Sequence, residues 1–241
     1  LAGLAADVRA AAAADALVAP VAAVLTAQGP EGVRRVRPVD PSFLAEQLRA
    51  ALDSLPVAAL KIGLLHSAAQ LQALLPLPAL PCVLDPVLAS SRGGSLVLPD
   101  YLPALRPRLA AVCSLLTPNL PECEALLGRP LRPGRAGLEE AAAELLRLGA
   151  PAVLLKGGHL DGGESPDLLA EPEGLTWLEG PRVPGGERRG TGCSLATWIA
   201  VELARGAALP EACAAAKRRL REALEAPPPL QGPGGLPLLV G

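Results

Sequence analysis

The segment Arg189-Gly190-Thr191-Gly192-Cys193-Ser194 runs directly into a helical pattern, Leu195–Arg205. Glycines ahead of a helix let the backbone approach an anion closely, and the helix then aims unpaired N–H groups and its positive dipole end at it. A phosphoryl group in transfer carries negative charge on its equatorial oxygens, so donors fixed in advance stabilise it without reorganising. Cys193 stands where a helix dipole lowers a thiol pKa and favours the thiolate, and a thiolate there can accept the proton of a substrate hydroxyl. The plainer reading is a loop-to-helix junction with a small buried cysteine. Spacing alone does not separate the two. Neither G-x-x-x-x-G-K-[ST] nor G-x-G-x-x-G after a strand occurs, so P-loop and dinucleotide-binding readings lose their main support.

Acids and lysines complete the chemistry. Asn119-Leu120-Pro121-Glu122 has the form of a capping box, with proline in the first helical turn. It also offers Glu122 to a hydrated Mg²⁺, a cation that keeps several waters and takes one or two carboxylates. Both readings hold if the helix start faces the site. Asp85 precedes a proline at a strand end and either turns the chain or adds a carboxylate for Mg²⁺ or substrate. Lys156, before Gly157-Gly158, either ends a strand in solvent or neutralises a β- or γ-phosphate. Lysine occurs three times (Lys61, Lys156, Lys217) against nineteen arginines. A bias toward arginine explains most of this, and the surviving lysines mark places where a compact ammonium is needed.

These residues need a scaffold that brings them together. Short apolar runs at Val21–Thr26, Val57–Ile62, Cys82–Val87, Val112–Thr117 and Ala152–Lys156 predict strands. Helical patterns such as Phe43–Leu55 and Leu138–Leu148 alternate with them, the latter ending at Gly149. Continuous apolar strands alternating with helices predict an α/β domain whose mainly parallel central sheet carries helices on both faces. Ligands of such sheets bind at the carboxyl ends of the strands. Gln28, Lys61-Ile62-Gly63, Asp85-Pro86-Val87, Thr117-Pro118-Asn119 and Lys156-Gly157-Gly158-His159 fall there. Segments 157–167 and 226–237 are expected to be a flap and a surface tail.

Composition narrows the class. At 241 residues the chain suits one large domain, with 50% hydrophobic but only 2% aromatic residues, so the core is aliphatic. A formal charge of −2 without a basic block argues against nucleic acid. Apolar stretches are broken well before the ~20 residues a membrane span needs. Cys82, Cys113, Cys123, Cys193 and Cys213 are widely spaced, without C-x-x-C, which fits a reducing cytoplasm rather than a disulfide or zinc framework. The Ala-rich start lacks a basic n-region and is interrupted by Asp7, Arg9 and Asp15, unlike a signal peptide. The absence of methionine reads as a chain that begins inside its natural protein.

Taken in order, the motifs resemble the hydroxymethylpyrimidine kinase branch of the ribokinase-like family. Ala2-Gly3 and Ala6-Asp7 look like the end of a G-G-A-G-I-Q-A-D-L-K segment, and Thr26-Ala27-Gln28 like T-A-Q. Lys61-Ile62-Gly63, Asp85-Pro86-Val87, Leu116 through Glu122, Lys156 through Leu160, Ser165-Pro166-Asp167 and Gly190-Thr191-Gly192-Cys193 follow. The resemblance implies one ribokinase-like domain over residues 1–241. It would transfer ATP phosphoryl groups to the pyrimidine's hydroxymethyl group and then to the monophosphate, for thiamine synthesis. It implies that Asp7 and Gln28 hydrogen-bond the aminopyrimidine, with Ala2, Leu64 and Val87 lining its pocket. Gly190, Thr191, Gly192, Lys156, Asn119 and Lys217 would serve the anion hole and ATP, Asp85 and Glu122 would support Mg²⁺, and Cys193 would be the catalytic base. A homodimer is implied too.

The chain departs from the family at four places. The family's first strand and G-S-D-x-S-G-G loop are absent. Glu187-Arg188-Arg189 stands where the family reads N-T-H, Leu64 replaces a methionine of similar size, and the late G-H-G-x-G-P is weakened to Gln231-Gly232-Pro233-Gly234-Gly235. Two alternatives remain beside the pyrimidine kinase: a pyridoxal kinase, and a pyrimidine-binding regulatory module without catalysis.

Overall fold

The computed structural model describes residues 2–29, 31–90, 94–158, 163–184 and 188–226. His159, Leu160, Glu187 and the 231–235 segment lie outside the described residues, as does most of the expected tail.

The chain opens with α1 (Leu4–Ala12), then β1 (Val24–Gly29), β2 (Gly32–Pro38), α2 (Pro41–Ser54), β3 (Leu60–Ile62), α3 (Ala68–Ala73) and β4 (Cys82–Leu84). It continues through α4 (Tyr101–Leu105), α5 (Leu109–Val112), β5 (Leu115–Leu116), α6 (Leu120–Leu127), α7 (Gly134–Arg147) and β6 (Val153–Leu155). The hairpin β7 (Asp167–Glu171) and β8 (Gly174–Leu178) and the helices α8 (Thr191–Ala204) and α9 (Leu209–Glu225) complete it. The main sheet has the order β3-β4-β5-β6-β7-β8. Its first three pairings are parallel and its last two antiparallel.

Side-chain alternation along each strand assigns the two faces. Val83, Leu115, Leu154 and Leu169 point to one side, where they pack with Ala10 and Ala11 of α1, Ile199 of α8 and Ala212 of α9. Leu84, Leu116, Val153, Leu155 and Leu168 point to the other, against Leu44, Leu105, Leu126 and Leu138 from helices α2 to α7. Both faces are therefore covered by helices, as expected for strands that read as continuous apolar runs. The alanines of α1 allow a close approach to α8, and the Trp198 indole N–H donates to the Ala10 carbonyl at 2.8 Å across that seam.

The first expected strand needs correction. Residues 24–29 do not join the main sheet but pair antiparallel with β2 in a separate two-stranded hairpin, with a register shift at Ala27/Gln28. The base of this hairpin is clamped by the buried Gln70, whose side-chain amide donates to Ala23 O and Val39 O at 2.8 Å each. Continuous apolarity read as a buried central strand is here a mostly exposed one. The other strands stand where expected but are shorter, and Val112 ends α5 rather than starting a strand. Asp167, expected at the end of a flap, opens β7.

Candidate functional site

Backbone hydrogen bonds carry the parallel ladder past the regular strands to its carboxyl edge. Asp85 N donates to Ile62 O at 2.8 Å, Thr117 N to Leu84 O at 2.9 Å, and Lys156 N to Pro118 O at 2.9 Å. This aligns Asp85, Asn119 and Lys156 side by side above the sheet, with Asn119 and Lys156 forming a parallel bridge. Lys156 Nζ donates to Asp85 Oδ1 at 2.8 Å and lies 3.9 Å from Glu122 Oε2. The capping box read from the sequence is present. Glu122 N donates to Asn119 Oδ1 at 2.9 Å, and Asn119 N donates to Glu122 Oε2 at 2.8 Å. Because the start of α6 faces this cluster, Glu122 both caps its helix and borders the site.

A second charged pair sits beside the first. Lys61 Nζ donates to both oxygens of Asp7, at 3.0 and 3.1 Å, and the Thr197 hydroxyl donates to Asp7 Oδ1 at 3.0 Å. Lys217 Nζ donates to Asp167 Oδ2 at 2.7 Å and to Ser165 O at 2.6 Å, while Gly157 N donates to Asp167 Oδ1. All three lysines of the chain thus border one cleft of about 2410 Å³, each on a carboxylate. Their scarcity in the sequence was the signal.

The glycine turn enters the cleft from the side of α8. Gly190 caps that helix with φ 91°, a left-handed conformation that side chains other than glycine strain to adopt. A Cβ on Gly192 would stand 3.3 Å from Lys156 Nζ and 3.8 Å from Asp85 Oδ2, so the turn abuts the lysine–aspartate pair without side-chain interruption. Thr191 and Cys193 follow on the first turn of α8.

Electrostatics order the cluster. Burial opposes charge on Asp85, but Lys156 and Lys61, with hydrogen bonds from Lys156 and Thr117, outweigh it and hold the carboxyl below its usual range. Burial likewise opposes the Lys61 and Lys156 ammonium groups, and the surrounding acids and Cys193 keep both pKa values raised. Glu122 goes the other way: burial, helped by Asp85 and opposed by Lys156, pushes it up to about 7.

Cys193 corrects an expectation. Burial raises its pKa, Lys61 and the Gly3 amide pull it down, and Asp85 and Asp7 raise it further, for a net rise. The dipole of α8 does not produce a resting thiolate here. Cys193 nevertheless borders the same cleft as Lys61, Asp85 and Asp7, and the charges of all three act on its thiol.

The Glu122 shift has a consequence for stability. Its folded pKa exceeds the ordinary 4.5, so the folded state binds a proton that the unfolded chain releases, and stability falls as pH rises from about 4.5 to about 7. Urea unfolding of the unliganded protein at pH 5 and pH 8 should show wild type losing roughly 2–3 kcal/mol more than Glu122→Gln over that interval. Equal losses in the two proteins would remove Glu122 as the source.

The remaining sequence-derived residues Ala2, Gln28, Leu64 and Val87 border the same cleft. Gln28 arrives there on the exposed hairpin rather than at a sheet edge. Sequence reasoning missed Lys61 as a site residue in its own right, and missed Thr197. Thr197 lies four residues after Cys193 on α8, one helical turn on and so on the same face, and that spacing was the available signal.

This topology is that of the ribokinase-like fold. The phosphomethylpyrimidine kinase of Clostridium difficile superimposes with TM-score 0.79 at 29% identity, over 92% of this chain and 93% of that one. Pyridoxal kinase of Bacillus subtilis, solved as an ADP complex, gives TM-score 0.86 at 27% identity, over 99% and 92%. By sequence, the hydroxymethylpyrimidine/phosphomethylpyrimidine kinase of Rhizobium meliloti is 36% identical over 228 residues, 93% of this chain and 86% of that protein. The thiamine biosynthesis bifunctional protein of Geobacter sulfurreducens is 37% identical over 233 residues, and this chain spans about half its length. The family model described as phosphomethylpyrimidine kinase matches residues 2–236, and the chain belongs to that family.

Proposed function

We propose that this chain transfers the γ-phosphoryl group of ATP to hydroxymethylpyrimidine and then to the resulting monophosphate, in thiamine biosynthesis. The observation that carries this reading is the juxtaposition of the Gly190–Gly192 turn with the Lys156–Asp85 pair, beside a cysteine flanked by Lys61 and Asp7. In the first transfer the hydroxymethyl oxygen attacks phosphorus, the bond to the bridging oxygen breaks toward ADP, and Cys193 Sγ takes the hydroxyl proton. Amides of the turn face the migrating group, with Thr191, Asn119, Lys156 and Lys217 serving ATP. Asp7 accepts from Lys61 and Thr197 and retains capacity for one more donor. With Gln28 it hydrogen-bonds the aminopyrimidine, against Ala2, Leu64 and Val87.

The two carboxylates around Lys156 suit Mg²⁺, a hard cation that takes one or two acidic ligands and fills its shell with water and phosphate oxygens. Asp85 and Glu122 would hold it, and when bound it would shield phosphate charge. No helix among the described residues is long and apolar enough to cross a membrane. A cytoplasmic homodimer is part of the proposal, and sedimentation of the complete protein tests the pairing.

A coupled assay of ADP release with the pyrimidine alcohol and with its monophosphate, on the complete protein, tests the central claim. Turnover of neither refutes it. The likeness to the Bacillus subtilis pyridoxal kinase supports pyridoxal as a competing acceptor, and kcat/KM should favour the pyrimidine alcohol by at least tenfold. Gly192→Ala should lower kcat/KM on the order of 10²-fold, as loss of an oxyanion donor does, because its methyl occupies the space facing Lys156. Alanine is the better helix former, so thermal unfolding should be unchanged or slightly later. A fully active Gly192→Ala enzyme would exclude the turn from phosphate contact.

A further inference from the structure

We propose that Arg189 binds a phosphate oxyanion in this cleft. The inference rests on the kinase reading and names a cation that the reading lacks. A nucleotide triphosphate or a phosphomonoester brings several negative charges, whereas the charge of each lysine at the site is already partly neutralised by a carboxylate: Lys61 by Asp7, Lys156 by Asp85 and Glu122, Lys217 by Asp167. Three of the arginines bordering the cleft are committed too. Arg188 donates to the Ala223, Leu224 and Ala226 carbonyls at the end of α9, Arg205 to Glu202 and Ala14 O, and Arg221 pairs with Glu225.

Arg189 borders the same cleft, and its side chain makes no hydrogen bond or ion pair among the described residues. Its Nε is buried without a partner. Arg218 also lacks one, but it is an exposed residue of α9, whereas Arg189 is partly buried. Arg189 is joined directly to Gly190, so the residue next to the helix-opening turn carries a planar cation that cannot be deprotonated. Its backbone is fixed on both sides, by Arg188 fastened to the end of α9 and by the left-handed Gly190.

The phosphate belongs either to the nucleotide or to the phosphorylated pyrimidine, and kinetics distinguish the two. Arg189→Ala and Arg189→Lys in the complete protein are compared with wild type for KM of ATP, of the pyrimidine alcohol and of its monophosphate. ADP and phosphopyrimidine affinities are measured by calorimetry, a readout that needs no turnover. For a nucleotide phosphate, Arg189→Ala raises KM for ATP with either acceptor and weakens ADP by about 10–100-fold. For the acceptor phosphate, only the monophosphate's KM and affinity worsen by that factor. Arg189→Lys recovers part of the loss in both cases. Every constant within twofold of wild type overturns the proposal, as does a wild-type protein that binds neither ADP nor the phosphopyrimidine. Wild type that binds both without phosphoryl transfer refutes the kinase reading alone and leaves the Arg189 affinities to decide this one.

Discussion

Cys193→Ala should slow phosphorylation of hydroxymethylpyrimidine by about 10²–10⁴-fold, the usual loss on removing a general base, with substrate affinity nearly unchanged. Phosphorylation of the monophosphate by the same variant should stay within several-fold of wild type. The difference follows from the nucleophiles. An alcohol must lose a proton as its oxygen bonds to phosphorus, whereas a phosphomonoester with a second pKa near 6 already presents an ionised oxygen at neutral pH. Burial, with the charges of Asp85 and Asp7, outweighs Lys61 and raises the pKa of the thiol above its ordinary range, so at neutral pH the thiol form predominates. The alcohol reaction should therefore gain rate with pH through 9, while the monophosphate reaction should not share that limb. Parallel pH profiles for the two acceptors, or equal losses in Cys193→Ala, would show that the sulfur receives no substrate proton.

Lys156→Ala should be the most destabilising change at the site. Asp85 is 2% exposed and Glu122 8%, and Lys156 is the cation nearest both. Removing one partner of a buried pair strands the other and costs about 3–5 kcal/mol, or about 6–20 °C in Tm for a domain of this size. The loss depends on pH in a fixed direction. Without the ammonium, the folded Asp85 pKa moves upward, so the variant's deficit is largest at pH 8 and shrinks toward pH 5 as the carboxyls take up protons. Adding Asp85→Asn to Lys156→Ala should recover part of the deficit, because the stranded charge is gone. A variant as stable as wild type at pH 8 would mean that Lys61 and Thr117 suffice to hold Asp85 ionised. Its phosphoryl transfer should fall as well, since the ammonium faces the Gly192 backbone where phosphate is proposed to lie.

Local chemistry was legible in the chain itself. The Asn119–Glu122 box spans three residues, and its reciprocal bonds form wherever the helix starts. Gly190-Thr191-Gly192 before an apolar helix needs no distant partner to create unpaired amides, and strands of uninterrupted Val, Leu and Ala must be covered on both faces. Tertiary packing decided the rest. Val21–Thr26 has the composition of a central strand, yet Gln70, more than forty residues away, clamps the base of an exposed hairpin that begins at Val24. Asp7 finds Lys61 and Thr197 across 54 and 190 residues, a convergence with no periodicity to betray it. The ionisation of Cys193 was misjudged for the same reason. A helix dipole is encoded locally, but the burial and the acids Asp7 of α1 and Asp85 beyond β4 that overcome it arrive only when the sheet edge closes.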